Sequence, residues 1–151
     1  MQRIGEYVEN RAVYTLSPAM SVAEAVAYMA ERKVGAVAVV ENDRLLGLFS
    51  ERDLLKRVVA AALDPKTTRV KEVMSVDVLT AHAGETPAAC LERMHQANVR
   101  HLPVFSSPEA GGRLLGLITL RDLMLADLEE KHGELKLMRA YIDLAPPEGG
   151  G

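Results

Sequence analysis

The chain has 151 residues and a formal net charge of −3, which gives no support to a nucleic-acid-binding role that depends on a basic surface. Apolar residues make up 48% of the sequence, enough for a packed core, yet no apolar run approaches the roughly 20 residues that span a bilayer. A single cysteine excludes an intramolecular disulfide framework, and the first residues lack a signal-peptide pattern. We therefore expect a cytoplasmic protein with neither a membrane nor a nucleic acid as partner.

The first half of the chain predicts one unit in the order strand, helix, strand, strand, helix. Ser21 and Glu24 have the spacing of a capping box, which predicts a helix that begins there and ends at Gly35. Asn42 and Asp43 predict a hairpin turn between the second and third strands. The three strands and the second helix are expected at residues 13–15, 36–40, 45–49 and 51–62.

The second half repeats this order after a polar linker. Residues 68–74 predict one or two helical turns that lead into the second unit. Thr86 as N-cap and Pro87 at the first helical position predict the start of its first helix. A short insertion between Phe105 and Arg113 falls in a hairpin loop, where extra chain length costs little. The three strands and the last helix are expected at residues 78–80, 101–105, 114–118 and 120–131.

The repeated order predicts an α+β fold, α/β-like in its alternation, made of tandem β-α-β-β-α repeats. One unit is too small to bury both faces of its sheet, so we expect two units packed sheet to sheet around a pseudo-two-fold axis, with helices outside. The repeats are assigned to residues 8–66 and 67–132. An amphipathic helix is expected over 133–145 and a disordered tail over 146–151.

Each repeat carries the same motif where its third strand meets its last helix. The two copies read Gly47-Leu48-Phe49-Ser50-Glu51-Arg52-Asp53 and Gly116-Leu117-Ile118-Thr119-Leu120-Arg121-Asp122. The N-terminus of a helix offers free N–H groups to a phosphate, and the carboxylate can accept two hydrogen bonds from the vicinal hydroxyls of a ribose. Ser/Thr-x-x-Asp is also an ordinary helix cap, so the residues alone leave a nucleotide site and a structural cap both open.

The paired motif, with the helix and apolar strand that precede each copy, resembles the CBS domain, and the pair is similar to a Bateman module. The resemblance covers about residues 8–132. It implies two clefts between the sheets and regulatory binding of an adenosyl ligand such as AMP, ADP, ATP, NAD or S-adenosylmethionine. No required cofactor is implied. Because no output domain is recognised, the resemblance implies a signal to a separate protein, which the sequence does not identify.

The resemblance also implies which residues form the two clefts. One cleft is expected to combine Ser50, Asp53, Ser75, Val76, Asp77 and Val78. The other is expected to combine Thr119, Asp122, Arg11, Ala12 and Val13, with Ile118 over the adenine and Arg100 and His101 toward the phosphate. Repeat 1 has uncharged Gly35 and Ala36 where repeat 2 has Arg100 and His101, and Asp77 would repel a phosphate. We therefore expect the cleft of Thr119 and Asp122 to be the better site.

Two alternatives stay open, and one further partner is expected. The clefts could be vestigial in a constitutive interaction or scaffold protein, with the hydroxyls and carboxylates acting only as helix caps. A nucleotide-hydrolysing enzyme is not expected, because no nucleophile–base pair, phosphate-binding loop, catalytic residue or metal-ligand spacing is found.

The last helix of each repeat carries more apolar surface than one pair of repeats buries, which predicts a homodimer through these outer helices.

Overall fold

The computed structural model describes residues 2–109, 111–130 and Arg139, without the side chains of Asp127 and Glu130. The expected helix over 133–145 and tail over 146–151 lie outside the described residues, apart from Arg139, whose guanidinium pairs with Glu129. No helix in the described part of the chain is both long enough and apolar enough to cross a membrane.

The structure contains two matching sheets with helices packed against them. The helices are α1 (Gly5–Val8), α2 (Val22–Arg32), α3 (Glu51–Asp53), α4 (Val70–Val73), α5 (Pro87–Ala97) and α6 (Leu120–Glu130). The strands are β1 (Thr15–Leu16), β2 (Ala36–Glu41), β3 (Arg44–Ser50), β4 (Ala81–His82), β5 (His101–Phe105) and β6 (Leu114–Thr119). The sheet orders are β1-β2-β3 and β4-β5-β6, each with one parallel and one antiparallel pair. The α+β fold of tandem β-α-β-β-α repeats is confirmed.

The helix starts that the sequence predicts are present as hydrogen bonds. Ser21 Oγ accepts the Glu24 N–H at 3.1 Å, and Glu24 Oε1 accepts the Ser21 N–H at 2.9 Å. Helix α2 ends before Gly35, in contrast to the prediction, because Lys33 takes the left-handed cap conformation with a φ of 57°. The Lys33 N–H closes the last turn on the carbonyls of Met29 and Ala30.

The first strand of each repeat begins later than the sequence predicts. Only Thr15 and Leu16 pair with β2, so the strand predicted over 13–15 starts two residues too early. The strand expected over 78–80 is likewise displaced to β4, which pairs with β5. The residues before each strand run unpaired along the junction between the repeats, which leaves them free to line cavities there.

The helix expected over 51–62 is α-helical only in its first turn. Helix α3 passes into π-helical turns over Leu54–Val59, in which the Ala60 N–H bonds to the Leu55 carbonyl at 2.9 Å. The wider turns end near Ala62, which has a φ of 59°. No residue pattern in this segment indicates the π conformation.

Each repeat is completed by a segment that precedes the other repeat in the chain. Ile4 and Val8 at the ends of α1 are fully buried in the core of the second repeat, and the Ile4 N–H donates to the Glu85 carbonyl at 3.0 Å. Val70 and Val73 of α4 lie in the core of the first repeat. This exchange ties the two halves together across the predicted boundary between residues 66 and 67. The boundary itself stays a prediction.

Candidate functional site

Two cavities lie where the repeats meet, one beside each motif. The cavity beside Thr119, named the Thr119 cleft, has a volume of about 470 Å³. The cavity beside Ser50, named the Ser50 cleft, has a volume of about 430 Å³. Gly35, Ala36 and His101 line both, so the two clefts adjoin. Volumes of this size are typical of small-molecule sites.

The Thr119 cleft is walled by both sheets and by the segment that leads into β1. Its walls comprise Arg11, Ala12, Val13, Tyr14, Lys33, Val34, Gly35, Ala36, Ala38, His101, Leu114, Gly116, Leu117 and Thr119. The structure therefore places Arg11, Ala12 and Val13 in the same cavity wall as Thr119, although more than 100 residues separate them in the sequence. Most of the lining residues are small or apolar, and the polar side chains are two hydroxyls and three basic groups.

The Asp122 carboxylate is held by two groups at the edge of this cleft. Arg11 Nη1 and Nη2 donate to its two oxygens at 2.7 and 2.8 Å, a bidentate pair. The Thr119 N–H donates to Oδ2 at 2.9 Å, and Thr119 Oγ1 accepts the Asp122 N–H at 3.1 Å. Burial alone would raise the pKa of Asp122, but the hydrogen bonds from Arg11 and Thr119 hold this pKa below its ordinary value.

The Ser50 cleft has a different electrostatic character. Its walls comprise Gly35, Ala36, Leu48, Ser50, Glu51, Arg52, Asp53, Ser75, Asp77, Val78, Leu79, Ala97, Val99, Arg100 and His101. The predicted residues Ser50, Asp53, Ser75, Asp77 and Val78 are thus together. Three carboxylates and two arginines face this cavity, so its cations do not outnumber its anions at neutral pH if His101 is uncharged.

The Asp53 carboxylate is buried, with only 5% of the residue exposed, and both oxygens are used within the protein. Oδ2 accepts the Ser50 N–H at 3.0 Å and the Ser50 hydroxyl at 3.1 Å. Oδ1 accepts the Ser75 hydroxyl at 2.8 Å, and Arg57 Nε lies 3.9 Å away. Asp53 therefore joins the start of α3 to the segment after α4, and three of the roughly four acceptor positions of its carboxylate are used within the protein.

The segment after α4 is fastened to β3 as well as to Asp53. The Leu48 N–H donates to the Ser75 carbonyl at 2.9 Å, and the Ser75 N–H donates to the Leu48 carbonyl at 2.8 Å. A Cβ at Gly47 would lie 2.2 Å from the Ser75 carbonyl oxygen. The glycine of the first motif is therefore needed for a close backbone approach.

The basic pair Arg100 and His101 divides between the clefts. The sequence predicts that Arg100 favours ligand binding in the Thr119 cleft. This prediction is wrong, because Arg100 lines only the Ser50 cleft. His101 lines both clefts. Burial lowers the pKa of His101 below its ordinary value, opposed by the carboxylates of Glu51 and Asp122 and reinforced by Arg100.

Three predicted site residues, Asp122, Ile118 and Val76, lie outside both cavity walls, and the prediction missed others. Asp122 is joined to the wall of the Thr119 cleft through its hydrogen bonds with Arg11 and Thr119. Ile118 is fully buried in the core of the second repeat and does not face a ligand. Val76 is 62% exposed and lines neither cleft. Lys33 and Tyr14 line the Thr119 cleft, although no motif marks them. Tyr14 directly follows the predicted Val13, but Lys33 reaches the cleft only through its left-handed cap conformation.

Two further features concern metal ligands and the single cysteine. Within the described residues, no three His, Cys, Asp or Glu side chains lie close enough to hold a metal ion. Cys90 is fully buried, and burial, with a contribution from Glu85, raises the pKa of its thiol to about 11. The thiol is therefore protonated at neutral pH, as expected of a core residue.

Comparison with known proteins places the chain among relatives of one kind. A family model described as the CBS domain matches residues 4–60 and 70–129. The chain is 30% identical over 119 residues to the CBS domain-containing protein YhcV of Bacillus subtilis, covering 79% of this chain and 81% of that protein. It is 35% identical over 113 residues to the inosine-5'-monophosphate dehydrogenase of Methanocaldococcus jannaschii, covering 74% of this chain. The match spans only 21% of that enzyme.

A solved structure agrees with these sequence matches. The protein is similar to a putative signal-transduction protein with CBS domains from Burkholderia ambifaria, with a TM-score of 0.77 and 29% sequence identity. The superposition covers 87% of this chain and 98% of that one. Both family matches coincide with the two repeats of the fold. The chain belongs to the CBS domain family and carries two copies of the domain.

Proposed function

We propose that the protein is a regulatory module that binds an adenosyl ligand in the Thr119 cleft and transmits its presence to a separate protein. The observation that carries this proposal is the cavity of about 470 Å³ at the junction of the repeats, walled by both sheets and by Arg11, Lys33 and His101. A ligand there touches both repeats at once, so it can favour one relative arrangement of the halves over another. AMP, ADP, ATP, NAD and S-adenosylmethionine are the ligands to compare.

The polar groups of the cleft match the parts of a nucleotide. The hydroxyl of Thr119 lies at the start of α6, where free N–H groups and the helix dipole favour a phosphate. The Asp122 carboxylate beside it is the acceptor for a ribose diol. The backbone of Ala12 and Val13 lines the cavity unpaired by any strand, and it is available to the edge of a purine.

Replacing Asp122 by asparagine tests the ribose contact. Asparagine keeps the shape and can still accept the Thr119 N–H, so the helix cap is largely retained, but the charge-assisted hydrogen bonds to the diol are lost. We expect the affinity for AMP, measured by isothermal titration calorimetry, to fall by about tenfold. In thermal melts of the unaltered protein, a ligand at 100 times its dissociation constant should add about 2.7 kcal/mol to the free energy of unfolding.

Glu41→Gln is the matched control, because it also removes one carboxylate but from an exposed position at the end of β2. It should leave AMP binding unchanged. Equal losses in the two variants would show that the effect comes from net charge rather than from the cleft. If none of the five adenosyl ligands binds or raises the melting temperature, the proposed function is wrong.

The scaffold alternative retains one specific support. Asp53 is buried and internally satisfied, so the Ser50 cleft behaves as a structural junction in this arrangement. If both clefts are structural junctions, none of the five adenosyl ligands raises the melting temperature, and Asp122→Asn changes only the stability of the protein. The Thr119 cleft, whose wall carries Arg11 and Lys33 and no carboxylate, favours the ligand-binding proposal over this one.

We also propose that two copies associate through the outer helices. Exposed apolar side chains form one face after α3 and another on α6. The first face comprises Leu55, Val59 and Leu63, and the second comprises Met124, Leu125 and Leu128. Leu55 and Val59 are each 63% exposed, which leaves much apolar surface in water unless a partner covers it. A two-fold arrangement covers both faces on both copies.

Leu55→Glu combined with Met124→Glu should convert the dimer to a monomer, because two charges per copy would be buried without partners. Sedimentation equilibrium gives the mass directly. Gln96→Glu adds a charge to α5, outside the two faces, and should leave the mass of the unaltered protein unchanged. A monomeric unaltered protein at micromolar concentration would contradict the dimer.

A further inference from the structure

Arg11 occupies the position that the proposed ligand needs. Its guanidinium donates to both oxygens of the Asp122 carboxylate, at 2.7 and 2.8 Å. The Thr119 N–H already uses Oδ2 as well. A ribose diol that is to bind this carboxylate must therefore displace Arg11 from it. The Asp122 side chain is only 17% exposed, so water has limited access to replace the lost hydrogen bonds.

The displaced guanidinium has no alternative carboxylate on the wall of the cavity. Among the described residues that line the Thr119 cleft there is no Asp or Glu, whereas Lys33 and His101 add further basic groups. The Lys33 ammonium has no ion-pair partner in the described part of the chain. A freed Arg11 would thus share the cavity wall with the Lys33 ammonium and with no carboxylate, which is unfavourable unless the ligand itself brings an anion.

We propose that Arg11 makes the Thr119 cleft selective for ligands that carry a cis-diol and an anionic group on the same molecule. The diol takes Asp122, and the anion takes Arg11, so one ion pair is exchanged for another and no charge is left without a partner. This inference rests on the proposed function and narrows it to nucleoside 5′-phosphates. Adenosine opens the Arg11–Asp122 pair without compensating Arg11. S-adenosylmethionine offers a carboxylate to Arg11, but it also brings its sulfonium and ammonium cations next to Lys33, so it is expected to bind less well than a nucleoside 5′-phosphate.

The Ser50 cleft provides an internal contrast. There the equivalent carboxylate, Asp53, is held by the neutral hydroxyls of Ser50 and Ser75, and the guanidinium of Arg57 is no closer than 3.9 Å through Nε. No cation is paired bidentately with that carboxylate, so no exchange of ion pairs is available. The selectivity is therefore a property of Arg11 and not of the repeated motif.

The test compares two probes, AMP and adenosine, by isothermal titration calorimetry. The unaltered protein should bind AMP at least about tenfold more tightly than adenosine. In Arg11→Met, which keeps an unbranched side chain without the guanidinium, Asp122 has no ion pair with residue 11 from the start. Adenosine should therefore bind more tightly than to the unaltered protein and AMP more weakly, so that the two affinities converge. Because Arg11 is 44% exposed, this variant should fold, which a thermal melt verifies.

Arg44→Met serves as the control, since Arg44 is an exposed residue at the start of β3 that lines neither cleft. It should keep the preference of the unaltered protein. An AMP-to-adenosine ratio that is unchanged in Arg11→Met overturns the selectivity inference while leaving the proposed function in place. Equal weakening of both probes also overturns it, because Arg11 then only shapes the cavity. If AMP does not bind to the unaltered protein, this inference is wrong, and the proposed function is wrong as well if ADP, ATP, NAD and S-adenosylmethionine also fail to bind.

Discussion

Asp53→Ala should lower the free energy of unfolding by about 3 kcal/mol, because it removes a buried carboxylate that accepts hydrogen bonds from three partly buried donors. The Ser50 N–H, the Ser50 hydroxyl and the Ser75 hydroxyl all donate to it. Alanine leaves these groups without acceptors in a position that is only 5% exposed. It also releases the segment after α4, which helps to close the core of the first repeat. Urea unfolding followed by circular dichroism measures the loss.

The matched variant is Asp122→Ala at the same motif position in the second repeat. Its partner Arg11 is 44% exposed, so the ion pair is partly screened by water and contributes less than a buried one, and we expect a smaller loss of about 1 kcal/mol, mainly from the helix cap. The two variants should also differ in function, since only Asp122→Ala should weaken AMP binding. Equal stability losses at the two positions would contradict the division into a structural and a ligand-binding carboxylate.

Gly47→Ala should destabilise the protein by about 3 kcal/mol or more, because the new Cβ has no space and its neighbour is backbone. It would lie 2.2 Å from the Ser75 carbonyl oxygen, so β3 and the segment after α4 must separate. That separation breaks the two backbone hydrogen bonds between Leu48 and Ser75, at 2.8 and 2.9 Å. The midpoint of urea unfolding should fall accordingly.

Gly84→Ala is the control for the glycine substitution. A Cβ there would meet only the ring of His82, at 3.4 Å, an ordinary contact with a side chain that can move. We expect a change within about 0.5 kcal/mol, as for most surface substitutions. A similarly small effect at Gly47 would mean that the segment after α4 is not held against β3 in solution, and the structural role of Ser75 and Asp53 would then fail too.

The sequence by itself was sufficient for the repeat, the order of elements and the helix caps. These depend on local chemistry: the Ser21–Glu24 capping box, Thr86 before Pro87, and the left-handed turn at Asn42 and Asp43 all act over a few neighbouring residues. Because the same local signals occur in both halves, the duplicated fold could be predicted. The predicted cleft residues were largely brought together, since the unpaired segments lie at equivalent places in both repeats.

Tertiary structure alone decided which groups hold the carboxylate of each motif. Asp53 and Asp122 are equivalent in sequence, yet one is enclosed by Ser75 and the other is reached by Arg11. These partners lie far away in the chain, so only the packing of α1 on the second repeat and of α4 on the first brings them there. Lys33 belongs to the same class, because its place on the cleft wall follows from a cap conformation that a lysine seldom adopts. Local sequence patterns determine the helices and strands, whereas long-range packing determines which charged side chains lie around the two clefts.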